Sequence, residues 1–436
     1  MGQPIANNKY EPPVAGTTRV LTTGRIVFWA SVAGDFAVMP LIFTQSFALS
    51  MLSQMGIAII FALSYNMLLG QTGLLSFGHA VYFGLGAFFC AHLLNFIGAG
   101  KIWFPVTLVP LIGGIAGLVF GLLLGFVTTR RAGTPFAMIS LGIAEMVAAS
   151  ALMFTTFFGG EGGIATNRAV GKAFLGVTYG PQIQVYYLIA GWCLVTMILM
   201  FAITRTPLGR MANAVRDNPE RAKFVGYNPT RVRWFMMALA SFFAGIGGGL
   251  AAINYEIVTA ETLGLVASGN VVLMAFIGGI GHFWGPIIGA ILVTLLQSAL
   301  SNYTQAWLLY FGLFFLVIIM FSPGGIANLI ALHKPVWNAG LFKRLVPSYA
   351  IAAVAGSFML AGFFALIEMI YHFEAKETSS KAFSFFGMKL DPTQVQYWVG
   401  VAIVFGVGIA LVYAVRKVVM RAWDNLTVEL QQKGAV

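Results

Sequence analysis

Charged residues are scarce in this chain. They make up 9% of the 436 residues, against 59% hydrophobic residues and a mean hydropathy of +0.86. A soluble domain carries about a quarter charged residues, so this composition excludes a soluble globular core. Because each transmembrane helix uses about 20 apolar residues, the length allows roughly ten to twelve spans. We expect an all-α, polytopic transmembrane helical bundle.

Residues that could form a disulfide, a metal site or a catalytic centre are also few. Cys90 and Cys193 lie inside apolar runs without a CxxC pattern, and we expect both to be small core residues. The five histidines form no HExxH pair, and no GxSxG motif is present. A phosphate-binding GxxxxGK(S/T) loop is missing as well, so the chain cannot hydrolyse ATP by that mechanism. We expect no enzyme and no metal or cofactor on this chain.

Twelve apolar runs are candidate membrane spans. They cover residues 26–41, 49–69, 81–97, 104–127, 135–157, 184–203, 231–254, 268–281, 285–301, 307–321, 347–371 and 395–415. The polar residues 1–25 lack the order of a cleavable signal peptide, so the first span is expected to double as the insertion signal. We predict a cytoplasmic tail at 1–25, a membrane domain at 26–330 and a C-terminal extension at 331–436 with the last two spans.

The net charge of +11 predicts the orientation of the spans rather than a nucleic-acid partner. With the N-terminus in the cytoplasm, 19 of the 25 Lys and Arg residues fall on the cytoplasmic side and six fall outside. The positive-inside rule then places both termini in the cytoplasm. We expect membrane lipid around the chain and no nucleic acid.

Two glycine-rich segments, 70–79 and 276–286, are too irregular for plain spanning helices. Each contains a Gly-His pair, and His79 and His282 stand 203 residues apart, a spacing that suggests an internal repeat. Non-helical backbone at membrane depth is tolerated only where protein or water covers it, so broken helices here would line a pathway. The alternative is close helix packing through glycine, which we expect for residues 245–249.

Polar residues and glycines of the core spans are the candidate contacts for a solute in transit. The candidates are Asn66, Gln71, Ser76, Gly78, His79, Glu145, Asn270, Gly281 and His282. Asp35, Glu145 and Glu368 are carboxylates within predicted spans, where ionisable groups are costly and usually functional. For Glu145 we keep three interpretations: an interhelical hydrogen bond, a place in the pathway, or proton coupling. Helix packing is the alternative role for the other candidates.

A long inner loop at 204–233 holds seven basic and two acidic residues. Three dipeptides in it pair a preferred N-cap residue with a proline at the first helical position. They are Thr206-Pro207, Asn218-Pro219 and Asn228-Pro229. They predict a helix from 207 to about 217, a second from 219 to about 225 that ends at Gly226, and then the next span. Such a helix between two spans could transmit force, and a basic loop on anionic lipid is the alternative.

The sequence of this loop resembles a known motif. Residues 220–226, Glu-Arg-Ala-Lys-Phe-Val-Gly, resemble the Glu-Ala-Ala-x-x-x-Gly motif of ABC importer permeases, with Arg221 in place of the first alanine. The wider stretch 205–226 is similar to the M-type permeases of the branched-chain amino acid transport family. Further matches follow in the same order: Gly73–Ala80, Ala144-Glu145, Gly159–Gly163, Gly278–Gly281, Trp284–Pro286 and Phe321–Gly325. Together they cover about 45–330.

The resemblance implies a permease of the bacterial inner membrane with several partners. It would pair with a second, related permease as a heterodimer or homodimer, engage two ABC ATPase subunits that bind ATP and Mg²⁺, and receive solute from a periplasmic binding protein. A loop at 205–230 would couple to the ATPases. Its implied coupling residues are Pro207, Leu208, Gly209, Arg210, Ala214, Arg216, Asp217, Asn218, Glu220, Ala222 and Gly226. Arg221 and the extension 331–436 depart from the family pattern and leave the choice of partner open.

The predicted function is ATP-driven import of a small polar solute. Relatives suggest branched-chain or related amino acids first, with urea, short amides and organic acids still open. An ion-coupled secondary transporter of amino acids or organic acids is the main alternative, and it would accumulate solute without ATP. A channel is the third possibility and would allow downhill flux without nucleotide.

Overall fold

Helix dominates the residues that the structure, a computed structural model, describes. These residues are 23–170, 176–304, 306–322, 324–374, 383–385, 388–391 and 393–432. Most of the predicted tail at 1–25 lies outside them. The helices are α1 (Thr23–Ile42), α2 (Ser46–Thr72), α3 (Ala80–Gly98), α4 (Val109–Thr128), α5 (Thr134–Met153), α6 (Thr155–Phe158), α7 (Gln182–Arg205), α8 (Pro207–Asp217), α9 (Pro219–Phe224), α10 (Pro229–Tyr255), α11 (Leu265–Gly278), α12 (Gly285–Tyr303), α13 (Trp307–Phe321), α14 (Gly325–Asn338), α15 (Phe342–Glu374) and α16 (Val395–Gln432).

Strand is limited, among the described residues, to two short antiparallel pairs. β1 (Ile164–Ala165) pairs with β2 (Ile257–Val258), and β3 (Phe383–Phe385) pairs with β4 (Met388–Leu390). The predicted all-α class is therefore confirmed.

All twelve predicted spans fall on helices. Within the described part of the chain, nine helices are long and apolar enough to cross a membrane, and α13 with α14 would make a tenth as one bent span. The helices α1 and α11 are apolar but shorter. Helix α16 continues to Gln432, beyond the predicted end at 415, because residues 416–432 contain no glycine or proline to stop it.

Contacts divide the chain into two compact units, Met1–Val272 and Leu273–Val436, with the division inside α11. The predicted boundary at 330 does not coincide with this division. It stays a prediction about the family domain.

In the first unit α10 lies at the centre, packed against α2, α3 and α4. A side chain at Gly245 would collide with the carbonyl of Gly113 in α4, and a side chain at Gly248 would collide with the carbonyl of Phe83 in α3. Glycine thus lets the helix backbones touch, and the packing predicted for 245–249 is confirmed. Cys90 and Cys193 are fully buried, as predicted.

In the second unit α15 and α16 pack side by side. Gly362 lies against Phe405 and Gly408 against Met359, so the two helices run antiparallel. The buried cluster at one end of this pair consists of Val336, Leu341, Leu345, Leu426 and Leu430. Glu368 accepts a hydrogen bond from the Tyr310 hydroxyl at 3.0 Å, which satisfies this carboxylate inside the unit.

Candidate translocation and coupling sites

The loop after α7 folds as the sequence predicts. Each N-cap side chain accepts a hydrogen bond from a first-turn amide: Thr206 from Gly209 at 3.4 Å, Asn218 from Arg221 at 2.9 Å and Asn228 from Thr230 at 3.0 Å. The helices α8, α9 and α10 therefore begin at the predicted prolines. Gly226 follows α9 with a φ of +90°, a conformation that favours glycine. The local sequence was therefore sufficient to predict where these three helices begin.

Helix α8 is seated firmly against the membrane helices. Ala212 and Val215 are buried, and α8 contacts α2, α7 and α10. A Cβ atom at Gly209 would lie 2.5 Å from the Ile203 carbonyl oxygen and 2.7 Å from that of Thr204. Only glycine therefore allows α8 to turn so tightly from the end of α7.

Arg216 points from α8 toward the end of α2. Its Nη1 donates a hydrogen bond to the Gly70 carbonyl, and its Nε donates to Oδ1 of Asp217 at 3.0 Å. The aliphatic part of the side chain lies beside Gly73, where a Cβ atom would be 3.0 Å from Cγ of Arg216. Of the predicted coupling residues, Arg216 thus contacts the membrane helices directly.

The other predicted coupling residues divide into buried and exposed positions. Ala214 and Glu220 are exposed, whereas Ala222 is only 5% exposed and faces the protein. A groove of about 460 Å³ runs beside α8 and is lined by Arg205, Pro207, Arg210, Met211, Ala214 and Tyr227. Whether these residues contact an ATPase stays a prediction.

Two exposed apolar residues at the end of α9 were not predicted from the sequence. Phe224 is 90% exposed and Val225 is 74% exposed. They stand in a loop whose neighbours are polar or charged, and exposed aromatic residues are typical anchors of protein interfaces. An apolar pair in a basic loop was the signal that could have found them.

The first Gly-His segment forms a non-helical break at 73–79 between α2 and α3. His79, at the end of the break, is fully buried. Because the Ser64 hydroxyl donates to the Phe61 carbonyl at 2.7 Å, the Nε2–H of His79 donates to Oγ of Ser64 at 2.9 Å. Nδ1 of the ring is then a buried acceptor without a partner among the described residues.

Two serines from other helices hold this break in place. The Phe77 amide donates to Oγ of Ser140 in α5 at 3.0 Å, and the Ala80 amide donates to Oγ of Ser268 in α11 at 3.1 Å. A side chain at Gly78 would collide with the Ser140 carbonyl. Neither serine was predicted, because nothing in the local sequence distinguishes them from other serines of apolar helices.

The remaining candidates of α2 and the break are mostly buried. Asn66 is buried and Gln71 half-buried, and a side-chain oxygen of each has no hydrogen-bond partner within the described residues. Ser76 is fully buried, and its Oγ accepts a hydrogen bond from the Gly78 amide at 3.3 Å. These polar groups gather around the break in the first unit.

Glu145 lies on an exposed face of α5. The neighbours on this face are Met138, Gly142, Ala149 and Leu152. Among the described residues Glu145 has no hydrogen bond or ion pair, so the interhelical hydrogen bond considered above does not form within them. A carboxylate facing hydrocarbon would be costly, which favours a polar surface on this side of α5.

The second Gly-His segment forms the turn between α11 and α12. Gly281 and His282 are exposed, whereas Asn270 in the first unit is half-buried and has a partner. A side chain at Gly278 would collide with the Gly285 carbonyl, so glycine here serves close packing. His79 and His282 therefore have different surroundings despite the shared Gly-His pair.

A bundle of membrane-spanning helices with one buried break and a capped helix pair in one loop is typical of a multi-pass membrane transport protein. The chain belongs to the family described as branched-chain amino acid transport system, permease component, which matches residues 47–323. The resemblance to the M-type permeases is thereby confirmed.

Individual relatives include transporters of two solute classes. LivM of Salmonella typhimurium, a high-affinity branched-chain amino acid transport system permease protein, is 28% identical over 291 residues, which cover 62% of this chain and 67% of that protein. The probable LivM of Methanocaldococcus jannaschii is 24% identical over 347 residues, 67% of this chain and 95% of that protein. MglC of Escherichia coli, a galactose/methyl galactoside import permease, is 29% identical over 270 residues, which cover 58% of this chain and 78% of that protein. No solved structure matches the chain.

Proposed function

We propose that this permease imports a small polar solute, driven by ATP hydrolysis on separate ABC ATPase subunits that push on α8 and α9. The observation that carries the proposal is the capped α8–α9 pair, held between the spanning helices α7 and α10. A rigid connection of this kind can pass a displacement to both spans. Exposed Ala214, Glu220 and Phe224 supply the surface for a partner.

The translocation pathway is proposed to involve the exposed face of α5 and the buried polar groups near His79. Glu145 supports the first part because its carboxylate requires water, a polar solute or another subunit beside it. The unpartnered buried oxygens of Asn66 and Gln71 support the second part, since buried polar groups normally have partners. Rearrangement of the break at 73–79 would expose these groups in turn.

The solute proposed first is a branched-chain or related amino acid, delivered by a periplasmic binding protein. LivM relatives support this choice, and the chain is also similar to a galactose/methyl galactoside permease. A second, related permease would complete the complex and cover α5. Both termini are proposed to face the cytoplasm, on the charge distribution described above.

Residues 331–436 are proposed to be an addition to the family domain, because the family match ends at 323. Little of the spanning parts of α15 and α16 is buried within the chain. Their apolar surface would face lipid or the second permease.

Uptake measurements test the proposal against the ion-coupled carrier. The chain, tagged and purified with its partners from native membranes, is expected to accumulate leucine in proteoliposomes only with ATP and binding protein. The isolated chain under a proton or sodium gradient is the matched comparison, and accumulation by it would contradict the proposal.

Crosslinking provides the structural arm of this test. Ala214→Cys is expected to crosslink to the ATPase chains, because Ala214 is exposed on α8. Lys101→Cys, on the predicted opposite side of the membrane, serves as the control. A purified complex in which Ala214→Cys forms no crosslink would count against the coupling role.

A further inference from the structure

We propose that Arg216 is a positioning residue that connects the coupling helix α8 to the broken segment at 73–79 by holding the C-terminal end of α2. The inference rests on the proposed function, since it assumes that ATPase chains move α8. It differs from that proposal because it assigns Arg216 a contact with α2 rather than a contact with the ATPase.

The acceptor of the Arg216 hydrogen bond is a carbonyl at the end of a helix. Helix α2 ends at Thr72, so the Gly70 carbonyl is among the last four, which have no partner within the helix. Backbone amides at the helix end turn back to Leu68 and Leu69 instead. The C-terminal end of a helix carries partial negative charge, and the guanidinium group is positively charged. Arg216 therefore stabilises this helix end by a charge-assisted hydrogen bond.

Glycine makes the contact between Arg216 and α2 possible. Gly73 caps α2 with a φ of +71°, and a Cβ atom there would lie 3.0 Å from Cγ of Arg216. The side chain of Arg216 thus runs directly over the residue at which α2 ends and the irregular segment begins. A displacement of α8 toward or away from α2 would act on this point.

Both partners of the contact have a further hydrogen-bonded neighbour. Asp217, the last residue of α8, accepts a hydrogen bond from the Arg216 guanidinium at 3.0 Å. Beyond Gly73 the chain reaches His79, which binds Ser64 of the same helix α2. The end of α2, the break and the buried histidine are therefore joined to α8 through one side chain.

Hydrogen exchange in the complete complex tests the inference without knowledge of the solute. The complex is purified through a tag on this chain, and exchange of the amides at 70–80 is compared with and without a non-hydrolysable ATP analogue. The variants are Arg216→Ala, Arg216→Gln and Arg216→Lys, with Arg131→Ala as the control. Arg131 is an exposed arginine between α4 and α5.

We expect wild type and Arg131→Ala to show a nucleotide-dependent change in exchange at 70–80. Arg216→Ala and Arg216→Gln should keep the ATPase chains and ATP hydrolysis but reduce this change, and any leucine accumulation, by about ten-fold. Arg216→Lys keeps the charge and a hydrogen-bond-donating nitrogen, so it should retain at least half of the wild-type change. Arg216→Gln serves in place of Arg216→Ala should the alanine variant misfold.

Three results would overturn the inference. One is an unchanged nucleotide response in the neutral variants, and another is an Arg216→Lys variant as defective as Arg216→Ala. The third is loss of the ATPase chains from the neutral variants, which would make Arg216 a docking residue. Wild-type protein that purifies without any ATPase would instead refute the proposed function itself.

Discussion

Single glycines decide how closely the helices of the first unit approach one another. Gly248 of α10 lies against the Phe83 carbonyl of α3, where no side chain fits. Gly191 of α7, by contrast, has open space around the position of a Cβ atom. Both residues lie inside helices, so the two positions separate the effect of packing from the effect of helix propensity.

Gly248→Ala is expected to destabilise the protein by about 1–3 kcal/mol, because the added methyl group forces α3 and α10 apart. Thermal unfolding of the detergent-solubilised protein measures this as a lower melting temperature. Gly191→Ala is the matched control and should be neutral or stabilising by up to about 1 kcal/mol, since alanine favours helix. Equal losses in both variants would contradict the packing argument.

The two Gly-His pairs illustrate the limit of local pattern at the residue scale. Their sequences predict similar environments, yet His79 is fully buried beside Ser64 and His282 is exposed. Burial of His79 depends on Phe61, Ser64 and Tyr82, which come from α2 and α3. A histidine's surroundings are set by such neighbours and not by the glycine before it.

At the scale of elements, the helices α8 and α9 were predictable almost to the residue. The N-cap residues and prolines act on amides one to three positions away, so the signal is contained in the local sequence. Asn218 is the most direct case, because its side chain alone caps α9. The orientation of each helix face was not predictable in this way, as the burial of Ala222 shows.

Asn218→Ala should loosen α9 while leaving α10 intact. Loss of an N-cap side chain costs about 1 kcal/mol, so amide exchange at 220–224 is expected to become about five-fold faster. Hydrogen exchange resolved by peptide measures this directly. Asn218→Asp keeps an acceptor at the cap and is the control, and exchange as fast as in Asn218→Ala would show that capping is not the cause.

For the whole molecule, the charge distribution predicts the orientation in the membrane. Lys101 and Ala214 are both exposed and are predicted to lie on opposite sides of the membrane. The native cysteines are fully buried, so a single introduced cysteine can be labelled against a silent background.

Lys101→Cys should react with a membrane-impermeant maleimide in intact spheroplasts, and Ala214→Cys should react only in inside-out vesicles. The wild-type chain, with only Cys90 and Cys193, is the control and should remain unlabelled. Labelling of Ala214→Cys from the outside would reverse the proposed orientation and remove α8 from the reach of a cytoplasmic ATPase.

Composition and local pattern determined much of this protein by themselves. Apolar runs of membrane length set the spans, and cap residues beside prolines set α8 and α9, because both signals act over neighbouring residues. Only the tertiary structure decided that Arg216 turns inward to α2, that Glu145 faces outward from α5, and that Phe224 is exposed. These outcomes depend on which helix lies opposite each side chain, and that helix is distant along the chain.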